Sequence, residues 1–217
     1  MRLPDDSKRH VIIGRNGSGK TQYGLWSASG RSFTSKPWII FDFKGDKIIE
    51  RIENEAGAKV IDLSKPPTKK GLYIVRPLPK QEKDVDAFLW QVWQNERTGL
   101  FFDEGYMVSD GEAFRAILTQ GRSKEVPAIV LSQRPVWMTR FVWSEADFFN
   151  VFKLSVLDDR KRVREFVPYD VKAELPQYHS FYYDVGDDRL SLMLPVPGED
   201  AIVKVFKDRL AGNRRFL

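Results

Sequence analysis

The run Val11-Ile12-Ile13-Gly14-Arg15-Asn16-Gly17-Ser18-Gly19-Lys20-Thr21 joins a β-branched stretch to the pattern G-x-x-x-x-G-K-T. Glycines at this spacing let consecutive backbone N–H groups turn toward phosphate oxygens, in conformations a Cβ would oppose. Lys20 is then placed to reach the β- and γ-phosphates, and the Thr21 hydroxyl to fill one Mg²⁺ position. A helix starting near Gly19 adds the positive end of its dipole to the same anion site. The expected cradle is therefore Gly14, Arg15, Asn16, Gly17, Ser18, Gly19, Lys20 and Thr21.

About eighty residues later comes Gly99-Leu100-Phe101-Phe102-Asp103-Glu104, an apolar strand ending in two carboxylates. Asp103 is the candidate Mg²⁺ partner with Thr21, and Glu104 the candidate base that polarises an attacking water. That second carboxylate separates the chain from most P-loop kinases, which need no water-activating glutamate. The same dipeptide after a strand also caps helices and starts turns. A third element, Ile129-Val130-Leu131-Ser132-Gln133-Arg134-Pro135, delivers a polar amide at the end of an apolar strand. Ligands of open α/β sheets sit at that edge, where Gln133 could sense a γ-phosphate or orient water. Taken alone, it also reads as a plain loop with Gln and Arg in solvent.

These residues need strands to present them, and apolar runs alternating with helical patterns predict an α/β domain with a largely parallel sheet. The expected strands are His10–Ile13, Trp38–Asp42, Lys59–Leu63, Leu72–Val75, Leu100–Asp103, Ala128–Ser132 and Val151–Val156. Asp46–Ala56, Glu82–Glu96 and Gly111–Gln120 read as helices; in the second, Val85, Phe88, Leu89, Val92 and Trp93 form one apolar stripe. Ser64–Gly71 and Tyr106–Gly111 read as surface loops. Ser180–Val185 and Arg189–Leu194 flank Gly186-Asp187-Asp188 as a hairpin. Ala201–Phe206 is expected as a further strand before a basic tail with Lys207, Arg209, Arg214 and Arg215. The expectation is one domain over 1–217, with a core of about 8–170 and a C-terminal extension over 171–217.

Composition narrows the classes. The chain has 217 residues, 42% of them hydrophobic, enough for one well-packed domain. The net charge of +5 favours an anionic partner only mildly, since 30 acidic residues face 35 basic ones. No cysteine is present, which removes disulfides, thiolate metal sites and thiol catalysis. No apolar run approaches the roughly 18 residues of a membrane span. The polar start, Met1 to His10, is no secretory signal, so the expectation is a soluble protein that is not secreted.

With these elements in this order, the chain resembles the FtsK–HerA superfamily of P-loop DNA-translocating ATPases over most of its length. Gly121-Arg122 through Ser132-Gln133-Arg134-Pro135 looks like that family's Gly-Arg, apolar strand and Gln-Arg-Pro end. Phe41-Asp42-Phe43-Lys44 looks like its Asp-x-Lys, and Asp158-Asp159-Arg160 is similar to its Asp-Ser-Arg. Gly45-Asp46 departs from the less polar residues often found after Asp-x-Lys, which leaves the role of Lys44 open. Cellular members carry additional domains before the ATPase core, whereas about ten residues precede the first strand here. By size the chain looks most like the genome-packaging ATPases of tailless, membrane-containing icosahedral viruses with double jelly-roll capsids.

The resemblance implies a RecA-like fold with a C-terminal β-hairpin extension, and hydrolysis of ATP with Mg²⁺. It also implies movement of double-stranded DNA by a ring homo-oligomer, a hexamer above all. Arg122 takes the place of an arginine presented to a neighbour's γ-phosphate, and Arg160 that of a second finger or a sensor. Six copies carry six times +5, about +30, enough to steer a polyanion. Arg115, Arg122 and Lys124, or Lys65, Lys69 and Lys70, are the candidate DNA contacts. A capsid vertex or portal protein is an implied partner, and the virion packaging vertex or host cytoplasm the implied place. Two other readings stay open: a cellular, conjugative or filamentous-phage DNA-extruding relative, and a nucleotide switch or small-molecule kinase that acts without DNA.

Overall fold

The computed structural model describes residues 4–108, 111–168 and 175–213. Nine strands form one sheet: β1 His10–Ile13, β2 Pro37–Asp42, β3 Lys59–Val60, β4 Gly71–Val75, β5 Gly99–Asp103, β6 Ala128–Ser132, β7 Phe148–Val151, β8 Ser180–Asp184 and β9 Arg189–Met193. Their spatial order is β3-β4-β2-β5-β6-β1-β7-β8-β9. The first seven are parallel, and β8 and β9 continue the sheet antiparallel. Among the described residues, seven helices accompany them: α1 Lys20–Ser29, α2 Lys47–Ala56, α3 Glu82–Asn95, α4 Glu112–Gln120, α5 Arg140–Ser144, α6 Leu157–Arg164 and α7 Glu199–Leu210. This is the expected α/β architecture.

Strands β1, β2, β5 and β6 are buried along their whole length, which is why they read as unbroken apolar runs. Alternate residues feed two cores. Ile39 and Phe41 meet α3 and α4 on one face, while Trp38 and Ile40 meet α1, α2 and α7 on the other. One order matters for function. β6 lies between β1 and β5, so three successive C-terminal ends deliver Gly14, Gln133 and Asp103-Glu104 side by side.

Several expected elements are corrected. Ala201–Phe206 is not a strand but part of helix α7. Ile202, Val203 and Phe206 fall on one helical stripe, Glu199 and Asp200 occupy the first turn, and Phe206 stacks on Phe33 at 5.5 Å. The strand expected at Val151–Val156 lies earlier, at Phe148–Val151. Its polar Asn150 is tolerated because the side chain is bonded to His10 and Ser180. Lys59–Leu63 pairs only over Lys59–Val60; Ile61 N–H adds one bond to the Ile74 carbonyl at 2.9 Å before the chain leaves. Tyr106–Val108 belongs to a 3-10 turn. Residues 109–110 of that expected loop, the 170/171 boundary and the tail arginines Arg214 and Arg215 lie outside the described residues.

Candidate active site

The loop from Gly14 to Gly19 joins β1 to α1 at the C-terminal edge of the sheet. Gly17 and Gly19 sit at φ +71° and +91°, where an L side chain is strained, and Gly19 is the residue from which α1 starts. The Ser18 hydroxyl is buried in the loop without a hydrogen-bond partner. An orphaned hydroxyl donor in a glycine-rich loop at a helix N-terminus suits an anion cradle.

Facing this loop, β5 ends in two carboxylates with different partners. The Thr21 hydroxyl donates to Asp103 Oδ1 at 3.2 Å. Glu104 is fully buried at φ +71°, a conformation costing a non-glycine residue about 1–3 kcal/mol. Three donors hold it there: Lys20 Nζ at 3.2 Å and Lys44 Nζ at 2.5 Å on Oε1, and the Gln133 N–H at 3.1 Å on Oε2. Burial first, then the adjacent Glu104 charge, pushes the Asp103 carboxyl up to about 7. A cation placed between Thr21 and Asp103 would relieve that repulsion.

Lys44 has a definite place that its sequence context left open. Asp42 closes β2 in register with Asp103, and its Oδ1 accepts the N–H groups of Gly45 at 2.8 Å and Asp46 at 3.0 Å. Arg76 braces Oδ2 of the same carboxylate at 3.0 Å. Gly45 takes the turn at φ +69°, and Asp46 caps α2 by accepting the Ile48 N–H at 3.0 Å. The Gly45-Asp46 departure thus makes the turn that starts α2 and leaves Lys44 directed at Glu104. Sequence reasoning missed Asp42 and Arg76 as positioning groups. The available signal was a carboxylate at the end of an apolar strand.

The remaining candidates divide. Gln133 reaches Glu104 through its backbone. Arg134 pairs with buried Asp159 at 3.2 Å and lies over the Trp137 ring at 4.2 Å, which ties the post-β6 loop to α6. Arg160 donates through Nε to the Leu154 carbonyl at 2.8 Å, so it stands just past the end of β7 on the cradle's side of the sheet. Arg122 lies elsewhere. It follows α4 and faces Asp147 at 3.8 Å, beside the start of β1. A five-residue β6 separates the two edges, roughly 16 Å at strand rise, so Arg122 can serve such a site only in another subunit. Lys124 is held by Glu96 at 2.7 Å and by the Trp93 ring.

The donor set suits a triphosphate with a hard cation: backbone N–H groups and Lys20 for phosphate oxygens, Thr21 and Asp103 for the metal. Among the described residues there is no cluster of three metal-binding side chains. Among the described residues, no helix is long and apolar enough to cross a membrane.

No protein-family model matches the chain. It is 43% identical over 218 residues to the DNA packaging ATPase P9 of Enterobacteria phage PRD1, covering 95% of each chain. Its fold is similar to the genome packaging NTPase B204 of Sulfolobus turreted icosahedral virus 2, solved in complex with AMPPCP. There the TM-score is 0.70 at 18% identity, over 89% of this chain and 100% of that one. VirB4 of Thermoanaerobacter pseudethanolicus is similar in fold as well, with a TM-score of 0.67 at 10% identity over 90% and 93% of the two chains. By its identity and coverage against P9, this chain belongs to the family of DNA-packaging ATPases.

Proposed function

We propose that the chain is the ATP-hydrolysing subunit of a motor that drives double-stranded DNA into a viral capsid as a ring homo-oligomer, a hexamer in the simplest case. The observation that carries this reading is the buried pair Lys20–Glu104 beside Thr21–Asp103, in a chain of this family. Lys20 and the loop N–H groups bind the β- and γ-phosphates. When bound, Mg²⁺ held by Thr21 and Asp103 offsets phosphate charge. Phosphate competes with Glu104 for Lys20, so nucleotide binding leaves Glu104 Oε1 with one cation instead of two and better able to take a proton from water. Lys44 and the Gln133 N–H keep the carboxylate aimed during that step. The Gln133 N–H on that carboxylate links the chemistry to the loop before α5.

Arg122, on the far edge, and Arg160 are the candidates for an arginine supplied to a neighbouring site, a device worth 10³–10⁵ in rate in other P-loop enzymes. A capsid vertex protein is the expected docking partner, in the virion or in host cytoplasm during assembly. The test is ATPase rate per subunit against protein concentration, with and without duplex DNA. The rate should rise with concentration, and DNA should increase it. A rate indifferent to both would contradict the motor reading.

A further inference from the structure

The cradle has two flanks, and the catalytic groups use only one. On the β6 flank, the Gly14 N–H donates to the Ser132 carbonyl at 3.2 Å, and Gln133, Asp103 and Glu104 lie beyond. On the β7 flank, the Phe152 N–H donates to the Ile13 carbonyl at 2.8 Å and the Arg15 N–H to the Lys153 carbonyl at 3.4 Å. A cavity of about 220 Å³ opens on this second flank, lined by Arg15, Ser18, Phe152, Pro176, Tyr178 and His179 among others. A triphosphate whose γ end points toward β5 must send its sugar and base the opposite way, toward β7.

We propose that this cavity is the nucleobase subsite, and that the base is held by stacking on Tyr178. The proposal rests on Gly14–Thr21 being the nucleotide cradle. Three observations support it. The Tyr178 ring overlies the cradle, its Cδ1 only 3.1 Å from where a Gly19 Cβ would stand. The residue is 48% exposed, so it remains open to a ligand that would cover it. Its backbone sits at φ +62°, strain of the kind found at ligand clamps.

The same geometry sets the selectivity. Lys153 and Gln177, which could read a base edge, are exposed, so water competes for them. His179 Nδ1 faces the Gln177 carbonyl at 3.0 Å. An aromatic face accepts any base and holds the larger ring better. The subsite therefore prefers purines to pyrimidines and treats ATP and GTP alike.

The test measures KM and kcat for ATP, GTP and CTP, and inhibition by tripolyphosphate, in the wild type and in Tyr178→Ala, Tyr178→Phe and Lys20→Ala. The wild type should show similar KM values for ATP and GTP, both below that for CTP. Tyr178→Ala should raise the purine KM values about tenfold, toward that of CTP, with kcat and tripolyphosphate inhibition unchanged. Tyr178→Phe should stay within about twofold of the wild type. An unchanged ATP KM in Tyr178→Ala would overturn the subsite, as would an equal loss of tripolyphosphate inhibition, which would mean the ring only shapes Gly19. Strong wild-type preference for ATP over GTP would overturn selectivity by stacking. Failure of the cradle reading looks different: Lys20→Ala would then turn over ATP and be inhibited by tripolyphosphate as the wild type is.

Discussion

Each edge of the sheet buries a polar cluster, and the two clusters are built in opposite ways. At the C-terminal edge, Lys20 and Lys44 are both paired with Glu104, and Asp103 beside them accepts the Thr21 hydroxyl. At the N-terminal edge, His10 is fully buried in an uncharged network. Its Nε2–H donates to Asn150 Oδ1 at 2.6 Å, its Nδ1 faces Ser27 Oγ at 3.3 Å, and the Asn150 amide donates to Ser180. Burial first, then the Arg31 charge, drives His10 down to about 3. Neutral groups with fixed partners hold three strands together and have nothing to exchange. Charges paired with each other can change partners when a phosphate arrives. The contrast separates a structural cluster from a working one.

The comparison breaks most sharply at Lys20. Lys20→Ala should abolish measurable hydrolysis and weaken ATP binding about 10–100-fold, the scale of a lost charge-assisted contact, read by equilibrium binding. Normal affinity in that variant would mean the charges at this edge are as structural as the His10 network. Lys44→Ala tests the orientation of the base. It leaves buried Glu104 with one cation in place of two, and turnover should fall about tenfold with ATP affinity retained.

The third prediction uses pH, in the protein free of nucleotide and divalent cation. His10 has a folded value below its ordinary 6.5, so the unfolded chain binds the extra proton and acidification through 6.5 destabilises. Asp103 has a folded value above its ordinary 3.8, so the folded chain binds the extra proton and acidification through 7 stabilises. Each contributes about 2 kcal/mol between pH 7 and pH 5, in opposite senses, from the linkage relation. Denaturant titrations should therefore show a nearly flat wild-type profile there. Asp103→Asn should lose about 2 kcal/mol over the same range as the His10 contribution is exposed. The smallest effect is at Arg76, a partly exposed brace on Asp42. Arg76→Ala should lower Tm by only a few degrees.

The two edges also differ in how far the sequence disclosed them. The cradle and Asp103-Glu104 are legible because each is a local pattern: a strand, then residues that belong together in the chain. The Lys44–Glu104 pair joins residues 60 positions apart, and only the register Asp42↔Asp103 between β2 and β5 brings them together. Asn150 hid β7, because a polar residue in a buried strand is intelligible only once His10 and Ser180 are seen beside it. Helix α7 failed as a strand because a short apolar run fits either period, and its neighbours Phe33 and α2 decide. Arg122 was placed by motif, yet no local signal tells which edge of the sheet a residue after α4 occupies.

The central claim is that Glu104 is a base restrained by cations which the nucleotide partly displaces. Glu104→Gln keeps the shape and the Gln133 contact but removes the charge. In that variant, ATP affinity measured at equilibrium should match or exceed the wild type, while single-turnover hydrolysis falls about 10²–10⁴-fold. Near-normal hydrolysis in Glu104→Gln would contradict the account.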